Sequence, residues 1–340
     1  MLPGNVSDRS FPGISVLFCM PSESSRQRRM TDMTVSKKPD KLKRTPYGWI
    51  YLFLAPTLIL FAMYTLYPLG ATVWYSMTNM RSFTSTNLRF VGLANYKALF
   101  ADKQFINSIT VTGKFLLFSV PARFFISLLL ALVLNWKQCK WKTFFRTMFF
   151  LPVLTTSAVI GVVFIMLLDP TMGPVNAIMK ALGMNDLASQ SLLGLHATAL
   201  MTTAVVWVWK WLGNSLIYWI ASLQSVPDEL YEAARIDGAN SVQTFRHIVV
   251  PLLIPFAVII LLLTVSDAIR VFNLMLTLTN GGPYFATETV ELFIYRHGFQ
   301  ASQPRLAYAS AAATLFGFFF MVVVLIQNAA SAISNRRGDK

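Results

Sequence analysis

The chain has 340 residues, of which 55% are apolar and 13% are charged, and its formal net charge is +14. A soluble globular protein carries about 25% charged residues, so this composition excludes an ordinary water-soluble domain. The mean hydropathy of +0.53 is typical of a protein with several membrane-spanning segments.

The first 44 residues are rich in Ser, Pro, Lys and Arg and show no apolar periodicity. We therefore predict that residues 1–44 form a disordered basic arm. Its basic residues, which include Lys37 and Arg44, would favour contact with the anionic headgroups of membrane lipid. Translation that begins at Met30 or Met33 is an alternative to the full-length arm. Residues 45–335 are predicted to form the membrane domain.

Six apolar runs follow the arm, and each is about 20 residues or longer. Inside hydrocarbon a segment must satisfy its own backbone donors and acceptors, so each run is predicted to be an α-helix. The predicted fold class is all-α, a polytopic membrane protein with six transmembrane helices. The predicted spans are residues 49–77, 107–134, 146–168, 196–222, 249–278 and 306–332.

Lys and Arg residues are distributed unequally between the two sides of these spans. The side that carries both termini has more than twice as many of them as the other side. The positive-inside rule places both termini in the cytoplasm, as expected for a multi-pass protein of the inner membrane. Because this bias accounts for the net charge, we predict no nucleic-acid partner. Cys19 and Cys139 fall on the cytoplasmic side, where a structural disulfide is not expected.

The segment between the fourth and fifth spans is charged and cannot lie in lipid. Ser225 is a predicted hydroxyl cap of a short helix, and Pro227, Asp228 and Glu229 suit its first turn. With about ten residues, or about 15 Å, this helix is too short to cross a membrane. We expect it to lie along the cytoplasmic surface.

A tight reversal is predicted at Asp237 and Gly238, since glycine adopts the positive φ that such a turn requires. Asn240 or Ser241 would then cap a second short helix, which leads into Pro251 and the fifth span.

The spacing of this loop is long and fixed: Glu232-Ala233-Ala234, then Gly238, Ile248 and Val250-Pro251. It resembles the EAA loop of the permease subunits of bacterial ABC importers. The resemblance implies a coupling helix that docks into a cleft of a separate ATPase subunit, where Glu232 would meet a basic residue. The coupling residues it implies are Glu232, Ala233, Ala234, Asp237 and Gly238.

Four further stretches resemble the carbohydrate-uptake importers of the maltose, multiple-sugar and glycerol-3-phosphate type. The implied partners are a second permease subunit, an ATP-binding ATPase dimer and an extracytoplasmic substrate-binding protein. Because ATP hydrolysis belongs to the ATPase partner, this chain is not expected to be an enzyme. The stretches are "FVGLANYKALF" at 90–100, "RTMFFLP" at 146–152, "LTNGGP" at 278–283 and "YASAAATL" at 308–315.

Charged residues inside spans are costly and are functional candidates by default. Lys210 lies near the middle of the fourth span, Asp267 lies in the fifth, and Arg270 follows one turn later. In maltose-type permeases the equivalent helices hold the sugar, and the resemblance also implies Trp211, Ala268 and Val271 at that face. The predicted substrate-binding residues are Trp207, Lys210, Asn214, Thr264, Asp267 and Arg270.

Alternative interpretations of these charges stay open at this point. Lys210 and Arg270 could favour an anionic sugar derivative. Asp267 could instead pair with Arg270, with Lys210 or with a partner subunit, and bind no substrate. An ion-coupled secondary transporter would use Asp267 as the coupling residue. A membrane scaffold or sensor without transport activity is a further alternative.

The sequence lacks the G-x-x-x-x-G-K-[ST] pattern of a phosphate-binding loop, and no catalytic motif is recognised. The three histidines show no metal-ligand spacing, so we predict neither a metal nor another cofactor. Glu288, Glu291 and His297 share one outer loop and are interpreted as interface or solvated polar residues.

Overall fold

The computed structural model describes residues 47–338, except residues 86, 137–139 and 185–189. The predicted N-terminal arm and both cysteines therefore lie outside the described residues. The chain divides into two compact units at the boundary between Ala62 and Met63. Helix α1 (Tyr47–Phe61) lies in the first unit, and all helices from α2 onward lie in the second.

The described residues are mainly helical, and their extended segments form one isolated bridge, between Thr78 and Phe90. The predicted all-α class is confirmed. The second unit contains α2 (Tyr67–Ser76), α3 (Ala94–Ala101), α4 (Lys103–Asn135), α5 (Lys142–Leu154), α6 (Ser157–Leu167), α7 (Pro174–Ala181), α8 (Ala199–Gln224), α9 (Asp228–Ile236), α10 (Ser241–Thr244), α11 (Val250–Ile269), α12 (Phe272–Leu278), α13 (Val290–Tyr295) and α14 (Leu306–Gly338).

Several helices are long and apolar enough to cross a membrane, which confirms the polytopic architecture. Four such helices occur in the described residues: Ile50–Ser76, Lys103–Asn135, Ser241–Ile269 and Leu306–Ala329. A fifth crossing results if the bent pair α5 and α6 counts as one span. Helix α8 has 26 residues, about 39 Å, but it is not among these four helices.

The third predicted span, 146–168, is broken. Helix α5 ends at Leu154 and α6 begins at Ser157, and the two helices form an angle of 100°. Thr155 and Thr156 are extended, and the Thr156 hydroxyl accepts a hydrogen bond from the Val159 amide at the start of α6. The apolar run was therefore located correctly, but the prediction that it forms one α-helix was wrong.

The fifth predicted span, 249–278, is also interrupted. Helix α11 ends at Ile269 and α12 begins at Phe272, so Arg270 and Val271 separate the two helices. The Phe272 amide donates to the Glu291 carboxylate over 3.1 Å, which satisfies one of the backbone donors freed at the new helix start. A distant side chain thus supports this break.

Helix α8 is central to the second unit, with its largest packing contact against α4 and the next against α5. One apolar cluster surrounds Phe115, Trp207 and Met275. A second cluster surrounds Leu216, Trp219 and Leu253, nearer to the loop that contains α9. Movement of that loop would therefore act directly on a packed part of the helix bundle.

Candidate functional site

Helix α9 forms the core of the charged loop between α8 and α11. Three residues separate it from the end of α8, so it lies close to the helix bundle. Asp228 and Glu229 occupy its first turn and Arg235 its last, which matches the charge of each helix end. The predicted Ser225 cap is wrong: Pro227 is the N-cap residue, and the Ser225 hydroxyl donates to the Ser222 carbonyl at the end of α8.

The reversal after α9 has the predicted form. Gly238 has a φ of +75°, and its amide donates to the Arg235 carbonyl over 3.1 Å. The next amide, of Ala239, returns to the Ala234 carbonyl at 2.9 Å, so two carbonyls of the last turn are satisfied. Asn240 then forms a reciprocal capping box with Gln243, with both hydrogen bonds at 2.8 Å, which selects Asn240 over Ser241 as the cap.

The two faces of α9 differ in exposure. Ala234 is buried, and Tyr231 is partly buried against the apolar cluster below it. Glu232, Ala233, Asp237 and Gly238 are exposed. Ile236 is 86% exposed, and Val242 after the turn is 73% exposed. An apolar surface on a polar loop is typical of a docking surface for another protein.

A cleft of about 1120 Å³ lies behind this loop. Its walls come from the ends of α4 and α8, the start of α5 and the inner side of α9, including Asn135, Lys142 and Tyr231. Burial, with a smaller contribution from the charge of Asp228, raises the pKa of the Tyr231 hydroxyl. The cleft leaves α9 without close packing along part of its length.

Asp267, one of the predicted substrate-binding residues, pairs with Arg123 of α4. Arg123 Nη1 lies 3.0 Å from Asp267 Oδ2, and the side chains are 1% and 33% exposed. The guanidinium also lies over the Trp207 ring, 5.1 Å from its centroid. Arg123 falls within the second predicted span, residues 107–134, and was not among the predicted substrate-binding residues. An unpaired charge inside a membrane span is costly, so the position of Arg123 in the sequence already indicated that it needs a partner.

Lys210 has a different partner. Its Nζ donates to the Thr155 carbonyl over 2.6 Å, and it lies 4.7 Å from the centroid of the Trp211 ring. Lys210 is 2% exposed. The alternative in which Asp267 pairs with Arg270 or Lys210 is wrong for this chain, because Arg123 occupies that position and Arg270 lies over the Phe320 ring at 5.7 Å.

The other predicted substrate-binding residues differ in exposure. Trp207 is buried and meets Phe115 edge to face, with ring centroids 5.6 Å apart. Thr264 is buried and donates its hydroxyl to the Ile260 carbonyl. Asn214 and Asp267 are partly exposed. The structure thus brings Trp207 and Asp267 together through Arg123, whereas Lys210 contacts the bend of the third span.

A second polar cluster lies at the loop after α12. Glu288 is fully buried and accepts hydrogen bonds from Gln104 at 2.8 Å and from Arg296 at 2.7 Å. Burial raises the pKa of Glu288, although the Gln104 hydrogen bond and the charge of Arg296 oppose that shift. The interpretation of Glu288 as a solvated or interface residue is wrong. Its partner Gln104 lies 184 residues away in sequence, which is why the local pattern did not show it.

Residues 116–338 match the family described as the binding-protein-dependent transport system inner membrane component. The match covers about two thirds of the chain and includes the charged loop. The chain belongs to this family.

Curated relatives extend the similarity over most of the chain. A probable ABC transporter permease protein of Bacillus subtilis strain 168, YurN, is 37% identical over 278 residues, covering 82% of this chain and 94% of YurN. The multiple sugar-binding transport system permease protein MsmF of Streptococcus mutans is 31% identical, and the match covers 87% of this chain and 97% of MsmF. The sn-glycerol-3-phosphate transport system permease protein UgpA of Escherichia coli O157:H7 is 33% identical, and the match covers 82% of this chain and 91% of UgpA.

A solved structure shows the same fold. The bacterial alginate ABC transporter, crystallised in complex with an alginate pentasaccharide-bound periplasmic protein, has a chain that matches with a TM-score of 0.71. The transporter chain is 25% identical to this protein, and the match covers 84% of this protein and 94% of the transporter chain. The protein is thus a multi-pass inner membrane permease of an ABC importer. The comparisons give no support to the secondary-transporter alternative.

Proposed function

We propose that this permease translocates a sugar or sugar derivative, driven by a separate ATPase dimer. The named substrates of similar permeases and of the alginate transporter are carbohydrates or glycerol-3-phosphate, which supports this class. The permease would pair with a second, related permease and receive its substrate from an extracytoplasmic binding protein. Both termini would lie in the cytoplasm, on the side of α9.

The observation that carries this proposal is the exposed, apolar surface of α9 on a loop joined directly to two long helices. Ala233 and Ile236 would enter the ATPase cleft, and the exposed Glu232 would meet a basic residue there. The buried Ala234 would hold α9 against its own domain. Asp237 and Gly238 would fix the turn, so that force on α9 reaches both α8 and α11.

Substrate contact would fall to the partly exposed members of the intramembrane set, Asn214 and Asp267, and to the exposed Arg270. The Asp267 oxygen that does not face Arg123 could accept a hydroxyl hydrogen from a sugar. Trp207 and Thr264 are buried and would shape the site from behind. This arrangement suits a ligand with many hydroxyl groups.

Uptake into proteoliposomes that contain this permease, its second permease and the ATPase tests the proposal. The sugar is preloaded on the binding protein. We expect its uptake to require ATP on the side of the membrane where the ATPase lies, and to proceed without a proton or sodium gradient. Uptake that follows an imposed ion gradient without ATP would contradict the proposal.

A further inference from the structure

The bend between α5 and α6 leaves backbone carbonyls without helical partners inside a predicted span. The last four carbonyls of a helix lack intrahelical donors, and they carry the negative end of the helix dipole. Inside hydrocarbon no water can satisfy them, so another part of the protein must do so. The residue just past the end of α5, Thr155, has an extended backbone and its carbonyl is accordingly free to accept from another helix.

Lys210 of α8 supplies the donor. Its ammonium group lies 2.6 Å from the Thr155 carbonyl oxygen, and the side chain is almost fully buried. A cation at the C-terminal end of α5 is favoured by the helix dipole. The pairing therefore satisfies two costly groups together: a charge at mid-span and a carbonyl at a broken helix end.

Each arm of the bend is attached to a different helix. On the α5 arm, Gly213 lies so close that an added Cβ would be 2.7 Å from the Phe150 Cα atom. Gly213 and Lys210 are three residues apart and so lie on one face of α8. On the α6 arm, the Thr277 hydroxyl of α12 lies 3.3 Å from the Ser157 carbonyl. The bend thus joins α8, which leads to the α9 loop, with α12, which leads to the loop around Glu288.

We propose that Lys210 is a positioning residue that fastens the bend at Thr155 to α8, so that displacement of the α9 loop changes the bend angle. In this role Lys210 does not contact substrate. The inference rests on the proposed function, because it takes α9 as the place where the ATPase acts. It deepens that function by naming the connection between the ATPase-driven loop and a broken span.

Three substitutions separate this role from substrate binding. Lys210→Met keeps the length of the side chain but removes every donor, Lys210→Gln keeps a neutral donor, and Lys210→Arg keeps a charged one. Lys114→Met is the matched control, because Lys114 lies in a predicted span, is exposed, and makes no hydrogen bond or ion pair within the described residues. Each variant is reconstituted with its second permease, the ATPase and the sugar-loaded binding protein.

The readouts are the maximal uptake rate, the concentration of loaded binding protein that gives half-maximal uptake, and ATP hydrolysis. For Lys210→Met we expect at least a tenfold lower maximal rate, an unchanged half-maximal concentration and continued ATP hydrolysis. Lys210→Arg should recover most of the rate and Lys210→Gln a smaller part. Lys114→Met should match the wild type.

Two results would overturn the proposal. One is normal uptake by Lys210→Met. The other is a variant that keeps its maximal rate but changes which sugars it accepts, since that is the behaviour of a ligand-binding residue. If Lys210→Met does not assemble, the ratio of uptake to ATP hydrolysis in Lys210→Gln decides, and a ratio equal to the wild type would contradict the role. Failure of the proposed function gives a different result from failure of this inference: uptake by the wild-type complex would then need no ATP.

Discussion

Arg123 of α4 and Asp267 of α11 form an ion pair with 3.0 Å between Nη1 and Oδ2, and Trp207 of α8 lies beneath the guanidinium. Three helices that are distant in sequence therefore meet at one charged contact. Arg123 is the more buried partner. A buried pair adds little net stability when intact, but removal of one partner leaves an uncompensated charge.

Asp267→Asn should destabilise the permease by about 3 kcal/mol, because Arg123 would remain charged and without its carboxylate partner. Thermal unfolding of the purified complex measures this effect. The double variant Arg123→Gln with Asp267→Asn should recover part of the lost stability, since both charges are removed. A double variant that is no more stable than Asp267→Asn would contradict this account of the pair.

Ile236→Asp should weaken association with the ATPase by tenfold or more. Burial of an Ile side chain contributes about 1.5–3 kcal/mol, and a charge placed in the same contact would oppose docking. Co-purification of the ATPase with the permease measures the change. Met172→Asp is the control, because Met172 is 92% exposed and lies outside the α9 loop. Similar ATPase recovery from both variants would argue against docking at this surface.

Gly238→Ala should place about 1–2 kcal/mol of backbone strain in the turn after α9, because its φ is +75°. Space does not limit this change, since an added Cβ meets no atom within 4 Å. We expect uptake to fall severalfold while the permease still folds. Gly183→Ala provides the comparison: its φ is +78°, and it has the same free space but lies far from the loop in sequence. A loss of uptake in both variants would point to a general effect of strain.

The wild type should lose stability relative to Glu288→Gln as pH rises above 4.5, the ordinary pKa of a glutamate. Burial raises the pKa of Glu288 in the folded state. The stability that its protonated form contributes is therefore present below pH 4.5 and is lost as pH rises through the folded-state pKa. The variant lacks this titration.

Thermal unfolding of both proteins between pH 4.5 and pH 8 gives the test for Glu288, with the difference between the two midpoints as the readout. The difference removes most contributions from other titrating groups. Among these, His297 acts in the opposite direction, because burial lowers its pKa and its contribution is lost as pH falls. A midpoint difference that does not change with pH would contradict the buried, titrating Glu288.

Features that depend on local sequence were predictable. The reversal at Gly238 and a helix cap at Asn240 or Ser241 follow from residues within a few positions of each other. The structure confirms the reversal and has Asn240 as the cap. The apolar runs located the long helices for the same reason. Ser225 was the local error: its hydroxyl had a nearer acceptor, the Ser222 carbonyl of the preceding helix.

Features that depend on contacts between distant residues were not predictable from the pattern. Hydropathy gives the length of an apolar run but not its direction, so the 100° bend after Leu154 was missed. Arg270, Lys210 or a partner subunit was considered as the partner of Asp267, whereas the structure pairs it with Arg123, 144 residues away. The substrate-binding set stays a prediction. On α8, Trp207 is buried whereas Asn214 is partly exposed, so residues on one helical face differ in exposure.

The contact at Gly213 has a mechanical consequence. Where side chains separate two helices, a small shift of one helix can be absorbed by a change of rotamer, which gives the interface some compliance. At Gly213 the main chain of α8 lies directly against the main chain of α5 around Phe149 and Phe150. Backbone atoms have no rotamers, so at this level the two helices are expected to shift as one stiff body.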